Sequence, residues 1–416
     1  MCDTFGILGK FTKDGSTIFG KNSDRDPNEI HIPEGVPGEK HDLNEHIKTT
    51  YGDLIPQVKE TYTTILFKPF WIWGAEMGIN ENGVFIGNEA IFTKRRVEKN
   101  SSLIGMDILR LSLERSRDAK EGVENIINIL DKFGQGRNCG FEHKIFYHNS
   151  FLVGDRNNIF VVETVEKDWV VKEVSSFYSI SNCITIGKDY SQKSKGIKEG
   201  IDFKETFENK FITYFSKGKI RRERTYNILK EKKGEFDIFS GFNLLRDHTG
   251  EEYRFNKGSM GTVCMHGGGL ISSQTTGSVI IREKEEIEIF ATLSSSPCIS
   301  IFKYITFSDL KDLMDRKRWI NYWLKWEELH RLFVFGKIRD ISSYKQERDE
   351  IENKIVKEKP PLRESVKLEE PFIKKWIQTG KEEKKRGKRS FFYLLYWKRE
   401  NRKLKKLKSN LKTDKI

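Results

Sequence analysis

An α+β architecture of layered antiparallel hairpins, with helices set between them, is the fold class that this 416-residue chain predicts. Three observations carry the prediction. Short apolar, β-favouring runs recur up to about Ser308, each bounded by Gly, Asn or Asp turn residues. Two helical patterns stand together between hairpins rather than alternating singly with strands, which argues against a doubly wound parallel sheet. Beyond Ser308 the pattern changes to charged, Trp-rich helical spacing.

The first hairpin begins at the start of the chain. Cys2–Gly9 and Ser16–Gly20 flank the turn Lys13-Asp14-Gly15. A second hairpin is predicted from Trp71 to Ile91 around Asn80-Glu81-Asn82-Gly83, which puts Trp71 and Trp73 on one strand face, as core or as a substrate wall. A third pairs Ser150–Val153 with Ile159–Thr164, and a fourth pairs Gly277–Arg282 with Glu286–Leu293. The helical patterns cover Leu103–Arg117 and the stretch after Asp118. There Asp118 and Glu121 form a capping box, Ala119, Val123, Ile126, Ile127 and Leu130 share a face, and Gly134 stops the helix. Residues 308–350 and 365–411 are helical in spacing, with a break at Pro360-Pro361. The implied domains are residues 2–307, a helical extension over 308–380 and a basic tail over 381–416. No internal repeat is present.

Charge is unevenly placed. Residues 381–416 carry 15 Lys/Arg against 4 acids, so this segment holds +11 of the net +13. The body is near neutral, and a pI of 9.2 is no argument for nucleic-acid binding by the whole chain. The tail itself fits a solvated helix face, contact with an anionic membrane or nucleic acid, or a partner-docking segment. No run approaches the roughly 18 apolar residues of a membrane span, and the first residues lack an apolar signal region. A cytoplasmic location is therefore expected.

The five cysteines are odd in number, widely spaced and without a CxxC pair, which predicts neither a zinc ribbon nor a disulfide framework. Four read as small buried hydrophobes. His143 and His148 lack zinc-ligand spacing, and His266-Gly267-Gly268-Gly269 lacks the Lys-Ser/Thr of a phosphate loop. No cofactor or metal is expected.

Cys2 differs by position. Removal of Met1 would leave a thiol and a free α-amine on one residue, and an α-amine with a pKa of about 7.7–8.0 can serve as base for its own side chain. Position alone does not separate this from an incidental second residue. Nearby, Gly20-Lys21-Asn22-Ser23-Asp24-Arg25 brings Lys21, able to lower the thiol pKa, and Asp24, able to orient the amine; it also reads as a polar strand end.

The set Cys2-Asp3-Thr4-Phe5, Gly20 to Arg25, Trp71-Ile72-Trp73-Gly74-Ala75-Glu76-Met77-Gly78, Gly87-Asn88-Glu89-Ala90, Gly105-Met106-Asp107, Leu245-Arg246-Asp247-His248, Val263-Cys264-Met265-His266 and Ser296-Pro297-Cys298 resembles the secernin/dipeptidase family of cysteine N-terminal-nucleophile (Ntn) hydrolases. More distantly it is similar to bile-salt hydrolases and penicillin V acylases. The resemblance covers about residues 2–305 and implies a four-layer αββα sandwich. It implies Cys2 as nucleophile, Lys21 where the bile-salt hydrolases have Arg, Asp24 beside the nucleophile, and Asn88 and Asn182 as amide donors of an oxyanion hole. It implies a small peptide or acyl-amide substrate, most simply a dipeptide. A penicillin-acylase-type amidase or acyltransferase, and a secernin-like interaction protein, are the alternatives. An arginine that the bile-salt hydrolases carry is not placed by sequence, and Arg282 is a poor candidate. His248 and His266 either shape the pocket or bond structurally. A homo-oligomer is compatible with this family.

Overall fold

The computed structural model describes residues 1–42, 44–100, 102–253 and 255–413. In chain order it runs β1 (Cys2–Ile7), β2 (Thr17–Arg25), β3 (His31–Val36), β4 (His46–Lys48), β5 (Leu54–Pro56), β6 (Thr64–Pro69), β7 (Met77–Asn80) and β8 (Phe85–Ile91). Helices α1 (Gly105–Leu113) and α2 (Ala119–Phe133) precede β9 (His148–Gly154), β10 (Ile159–Val165), β11 (Asp168–Val174), β12 (Phe177–Ile180) and β13 (Gln192–Lys193). Then come α3 (Phe203–Phe207), α4 (Lys210–Ser216), α5 (Gly218–Glu231), α6 (Ile238–Leu245), β14 (Gln274–Glu283), β15 (Ile287–Ala291) and β16 (Lys303–Ile305). The chain closes with α7 (Leu310–Leu313), α8 (Arg316–Val334), α9 (Ile341–Glu358), α10 (Leu362–Glu382) and α11 (Phe391–Lys412).

The fold is mixed α and β with antiparallel sheets. One has six strands in the order β12-β1-β2-β14-β15-β16; the other has eight, β13-β11-β10-β9-β8-β7-β6-β3. Each paired strand in them is antiparallel to its neighbour, as the hairpin turns dictate. The alternation of side chains decides what each strand buries. On β1, Gly6 faces Leu152 and Ile159 of the other sheet, while Phe5, one residue earlier, meets Phe236 edge-on on the opposite side. Helices α1 and α2 cover the eight-stranded sheet through Leu109, Leu113, Val123 and Ile126 against Val84, Ile86, Val153 and Val162. Helices α5 and α6 pack on the six-stranded sheet.

Three predicted elements change. The second hairpin is confined to β7 and β8, paired Met77↔Gly87 to Ile79↔Phe85. Trp71 and Trp73 lie in the connection after β6 and do not share a strand face. Pro69 ends β6, and Gly74 sits so close to α1 that a Cβ would come within 2.3 Å of the Met106 backbone, so the segment folds over the helix N-terminus. Helix α1 stops at Leu113 rather than Arg117, because the Asn80 amide takes the Leu113 and Ser116 carbonyls that a continuing helix would use. The capping box at α2 is half made: Asp118 accepts from the Glu121 N–H, but Glu121 turns back to the Arg117 N–H. Gly134 closes this helix at φ 70° as predicted.

The C-terminal helices lie against the body. In α8, Trp319, Trp323 and Trp326 are buried, and the Trp323 indole donates to the Thr276 carbonyl on β14. In α11, Trp397 is fully buried under the Arg331 guanidinium, and Glu400 accepts from Asn28. Its opposite face leaves Phe391, Phe392 and Leu395 exposed. The last three residues of the basic tail lie outside the described residues. Among the described residues, no helix is long and apolar enough to cross a membrane.

Candidate active site

The opening hairpin carries the site because its register aligns three pairs of polar residues across two strands: Cys2 opposite Ser23, Asp3 opposite Asn22, and Thr4 opposite Lys21. Alternation sends them to two environments. Thr4 and Lys21 face the eight-stranded sheet, where the Thr4 hydroxyl and the Lys21 ammonium both reach Glu89 on β8, the latter at 3.1 Å. Lys21 also donates to the Asn88 carbonyl at 2.8 Å. Room for its stem comes from Gly87, where a Cβ would lie 3.0 Å from Lys21 and 2.9 Å from Phe19. Asp3 faces α5, where Arg221 binds it at 2.8 Å.

Cys2 is 5% exposed and lines a cavity of about 320 Å³ together with Met1, Asp24, Arg25, Glu76 and Asn88. The Cys2 N–H donates to Asn182 Oδ1 at 3.0 Å, and the Ser181 hydroxyl donates to the Cys2 carbonyl. Met1 lies antiparallel to Asp24: the Asp24 N–H donates to the Met1 carbonyl at 2.7 Å, and the Met1 amine donates to the Asp24 carbonyl. Asp24 also accepts from the Thr275 hydroxyl at 2.6 Å. Thus the structure brings Cys2, Lys21, Asp24, Asn88 and Asn182 to one end of the inter-sheet space.

Their electrostatics are those of buried groups. Burial pushes the Cys2 thiol up to about 12; Lys21 opposes the shift and Glu89 adds to it. Burial works against the Lys21 charge, but Cys2, Glu89 and Glu76 outweigh it and hold the ammonium above its ordinary range. Burial and then the Asp3 charge raise Asp24 to about 8, with Arg221 pulling the other way. For Glu76, burial is overcome by Arg25 and His31, which keep it ionised well below the usual carboxylate range.

Arg221 is the site residue that sequence reasoning missed. It is fully buried and donates to Asp3, to Asn182 Oδ1 at 2.7 Å, to Ser181 and to two backbone carbonyls. Its helix starts at Gly218, whose Cβ position lies 2.7 Å from the Asn182 backbone, so only glycine lets α5 approach this closely. No signal in Lys219-Ile220-Arg221-Arg222-Glu223-Arg224 separates Arg221 from its exposed-looking neighbours. Arg282 is remote from the cavity, paired with Glu288 and Asp14.

The two asparagines sit differently. Asn182 Oδ1 receives two donors, Cys2 N–H and Arg221, which fixes its amide orientation, and its Nδ2 donates to the Ala90 carbonyl at 2.9 Å. Asn88 lines the cavity and spends one amide proton on Asn149. An amide has two donors. At the mouth, His143 pairs with Asp26 at 3.0 Å, while Leu270 and Ile271 are exposed apolar lips. Trp71 bonds Glu29 behind the cavity, and Trp73 stacks under Arg110. His148 is buried beside Thr93. His248 and His266 meet at 3.0 Å away from the residues that line the Cys2 cavity.

A family model described as acyl-coenzyme A:6-aminopenicillanic acid acyl-transferase matches residues 11–265, more than half of the chain. The match includes Lys21, Asp24, Asn88, Asn182 and Arg221 but begins after Cys2. Similar solved structures include a variant of conjugated bile acid hydrolase from Clostridium perfringens, with 14% identity over 69% of this chain and 92% of that one and a TM-score of 0.42. Penicillin V acylase from Agrobacterium tumefaciens has 11% identity over 76% and 88%, with a TM-score of 0.42. A Caenorhabditis elegans N-acylethanolamine-hydrolyzing acid amidase ortholog has 13% identity over 67% and 92%, with a TM-score of 0.36.

Proposed function

The chain belongs to the acyl-coenzyme A:6-aminopenicillanic acid acyl-transferase family, and from that premise we propose that it is a cysteine Ntn amidohydrolase with Cys2 as nucleophile. The observation that carries the reading is Cys2 itself: it lines the cavity while its backbone nitrogen is held by Asn182 Oδ1, which Arg221 clamps in turn. The layering is then that of a four-layer αββα sandwich, with the helices from α7 onward as an extension.

Removal of Met1 turns the Cys2 nitrogen into an α-amine that keeps Asn182 Oδ1 as its acceptor. A thiol pushed up to about 12 is scarcely ionised at neutral pH, so a base must take its proton as attack proceeds. The α-amine is that base. The sulfur bonds to the substrate carbonyl carbon, and the oxyanion is received by the remaining amide proton of Asn88. Collapse breaks the C–N bond, the α-ammonium gives its proton to the leaving amine, and water then hydrolyses the thioester. Asn182 serves here as an orienting acceptor rather than as the second oxyanion donor. Lys21 and Arg221 set the field and geometry from behind the strands.

The substrate class we favour is a dipeptide, in keeping with the resemblance to the secernin/dipeptidase family. The two terminal nitrogens of Arg25 are engaged by Glu29, Glu76 and the Cys139 carbonyl. Asp26, Glu29 and Glu76 therefore leave a negative excess around the cavity, which suits a substrate ammonium group. The apolar lips Leu270 and Ile271 favour a second reading, an N-acyl amide with a hydrocarbon acyl chain.

N-terminal peptide mass spectrometry of the purified protein, before and after a thiol-directed acylating probe, tests the mechanism, with Cys2→Ala alongside. Loss of Met1, a free amine and one adduct at Cys2 are expected. A retained Met1 or a blocked, unreactive Cys2 would overturn the hydrolase and move the weight to an interaction protein. Parallel turnover of dipeptides and N-acyl amines decides between the two substrate readings.

A further inference from the structure

We propose that His248, Cys264, His266 and Cys298 form a closed tetrahedral metal site that takes one Zn²⁺. Each offers one ligand atom, and the four atoms lie within 4.8 Å of one another. His266 Nε2 stands 3.0 Å from His248 Nε2, 3.4 Å from Cys264 Sγ and 3.6 Å from Cys298 Sγ. A tetrahedron built on the usual Zn–N and Zn–S bonds requires ligand separations of about 3.3–3.8 Å. One imidazole and two thiols converging on one ring nitrogen at these distances form a cage rather than a set of ordinary hydrogen bonds.

The surroundings have the character of a built site. Cys264, His266 and Cys298 are buried, and no disulfide joins the thiols. Tyr253 stacks on the His266 ring at 3.7 Å between centroids, and Phe255 meets it edge-on. Hydrogen bonds brace the stretches that bear the ligands. The Cys264 N–H donates to the Asp247 carbonyl, and Asp247 is held by Arg224. Met265 and Thr275 exchange hydrogen bonds across the segment that bears Cys264 and His266. Arg246 donates to the Pro297 carbonyl, and Arg348 to that of Cys298. A cavity of about 380 Å³ lined by His248, Tyr253 and Cys298 gives an ion its way in.

The cluster also answers a folding problem. From Arg246 to Ser273 the chain has neither helix nor strand among its described residues. Such long irregular connections inside a compact domain need a staple. Binding would release the two thiol protons to solvent, so a dication, two thiolates and two neutral imidazoles make a neutral unit that tolerates burial. Four protein ligands leave no open position, which makes the role structural. The Met265–Thr275–Asp24 chain connects this staple to the Cys2 hairpin, and Leu270–Ser273 of the same segment wall the Cys2 cavity.

The full chain, purified from zinc-supplemented medium, should carry about one zinc per molecule by elemental analysis after dialysis. The Cys2→Ala variant should carry the same amount, which separates this site from the proposed nucleophile. Replacement by Co²⁺ should give the intense visible bands of a tetrahedral site with thiolate charge transfer. Cys264→Ser and Cys298→Ser should each lower affinity at least tenfold in a chelator competition, and Cys183→Ser should not. Absence of bound zinc together with an octahedral cobalt spectrum would overturn the proposal. So would a Cys264–Cys298 disulfide in the native protein. Because the native chain supplies both readouts, the result does not depend on the variants folding.

Discussion

Two buried cysteine centres, linked through Met265, Thr275 and Asp24, are built in opposite ways. The Cys2 centre sits on adjacent strands, β1 and β2, and its partners Thr4, Lys21 and Glu89 are placed by register and alternation. The His266 centre sits on a segment without regular structure, and its four members come from three stretches joined by side-chain and backbone bonds. The lesson is one of division of labour. A reacting group needs positional precision, which a sheet supplies through its own ladder. An irregular wall needs cross-linking, which ligand-type side chains supply where a ladder is missing.

Substitutions should separate the two. If Cys2 is the proposed nucleophile, Cys2→Ala is expected to reduce turnover of an amide substrate by about 10⁴-fold or more, since binding alone remains. Its melting temperature should stay close to that of the parent, because only a sulfur leaves a pre-formed sheet. A large drop in stability would break the comparison by making Cys2 structural. Arg221→Met comes next. It strands the buried Asp3 carboxylate, and loss of one partner of such a pair costs about 3–5 kcal/mol, read as a denaturant midpoint. Asn88→Ala should lower kcat by about 10²–10³ with little change in stability, as for an oxyanion donor. Equal losses in kcat and folding would instead assign Asn88 to the Asn149 bond alone.

The smallest effect is on pH. Burial pushes Glu163 up to about 7, against the Thr185 and Ile186 donors that favour its charge. Burial likewise raises Glu89 to about 7, with Lys21 opposing. A carboxyl raised from 4.5 in this way binds its proton more tightly in the folded chain. Its stabilising contribution is complete below pH 4.5 and is lost as pH rises through 7. Each contributes about 3 kcal/mol at most. The melting temperature should thus decline from pH 5 to pH 8, and Glu163→Gln should flatten the slope. An unchanged slope in that variant would place the titration elsewhere.

Much of this was legible in advance for local reasons. Asn-Gly and Asp-Gly turns between β-favouring runs mark the hairpins, and Asp118 with Gly134 bounds α2 almost to the residue. Cys2, Lys21 and Asp24 could be paired on paper because a hairpin brings i and j together by counting. The Trp71–Trp73 strand failed because Pro69 and the close approach at Gly74 are tertiary constraints that outrank β propensity.

What the sequence determined by itself was therefore the four hairpins β1–β2, β7–β8, β9–β10 and β14–β15, the second shorter than expected, and the strand-borne half of the candidate site, since those follow from periodicity and turn chemistry within a few residues. Its motifs pointed first to the secernin/dipeptidase family and only distantly to the penicillin acylases, the side on which the matching family lies. Only the tertiary structure decided that Arg221, not Arg282, closes on Asp3 and Asn182, and that His248, Cys264, His266 and Cys298 share one point. The reason is the same in both cases: the contacts join residues far apart in the chain, and nothing in local sequence encodes which of several arginines or cysteines the packing of helix on sheet will bury together.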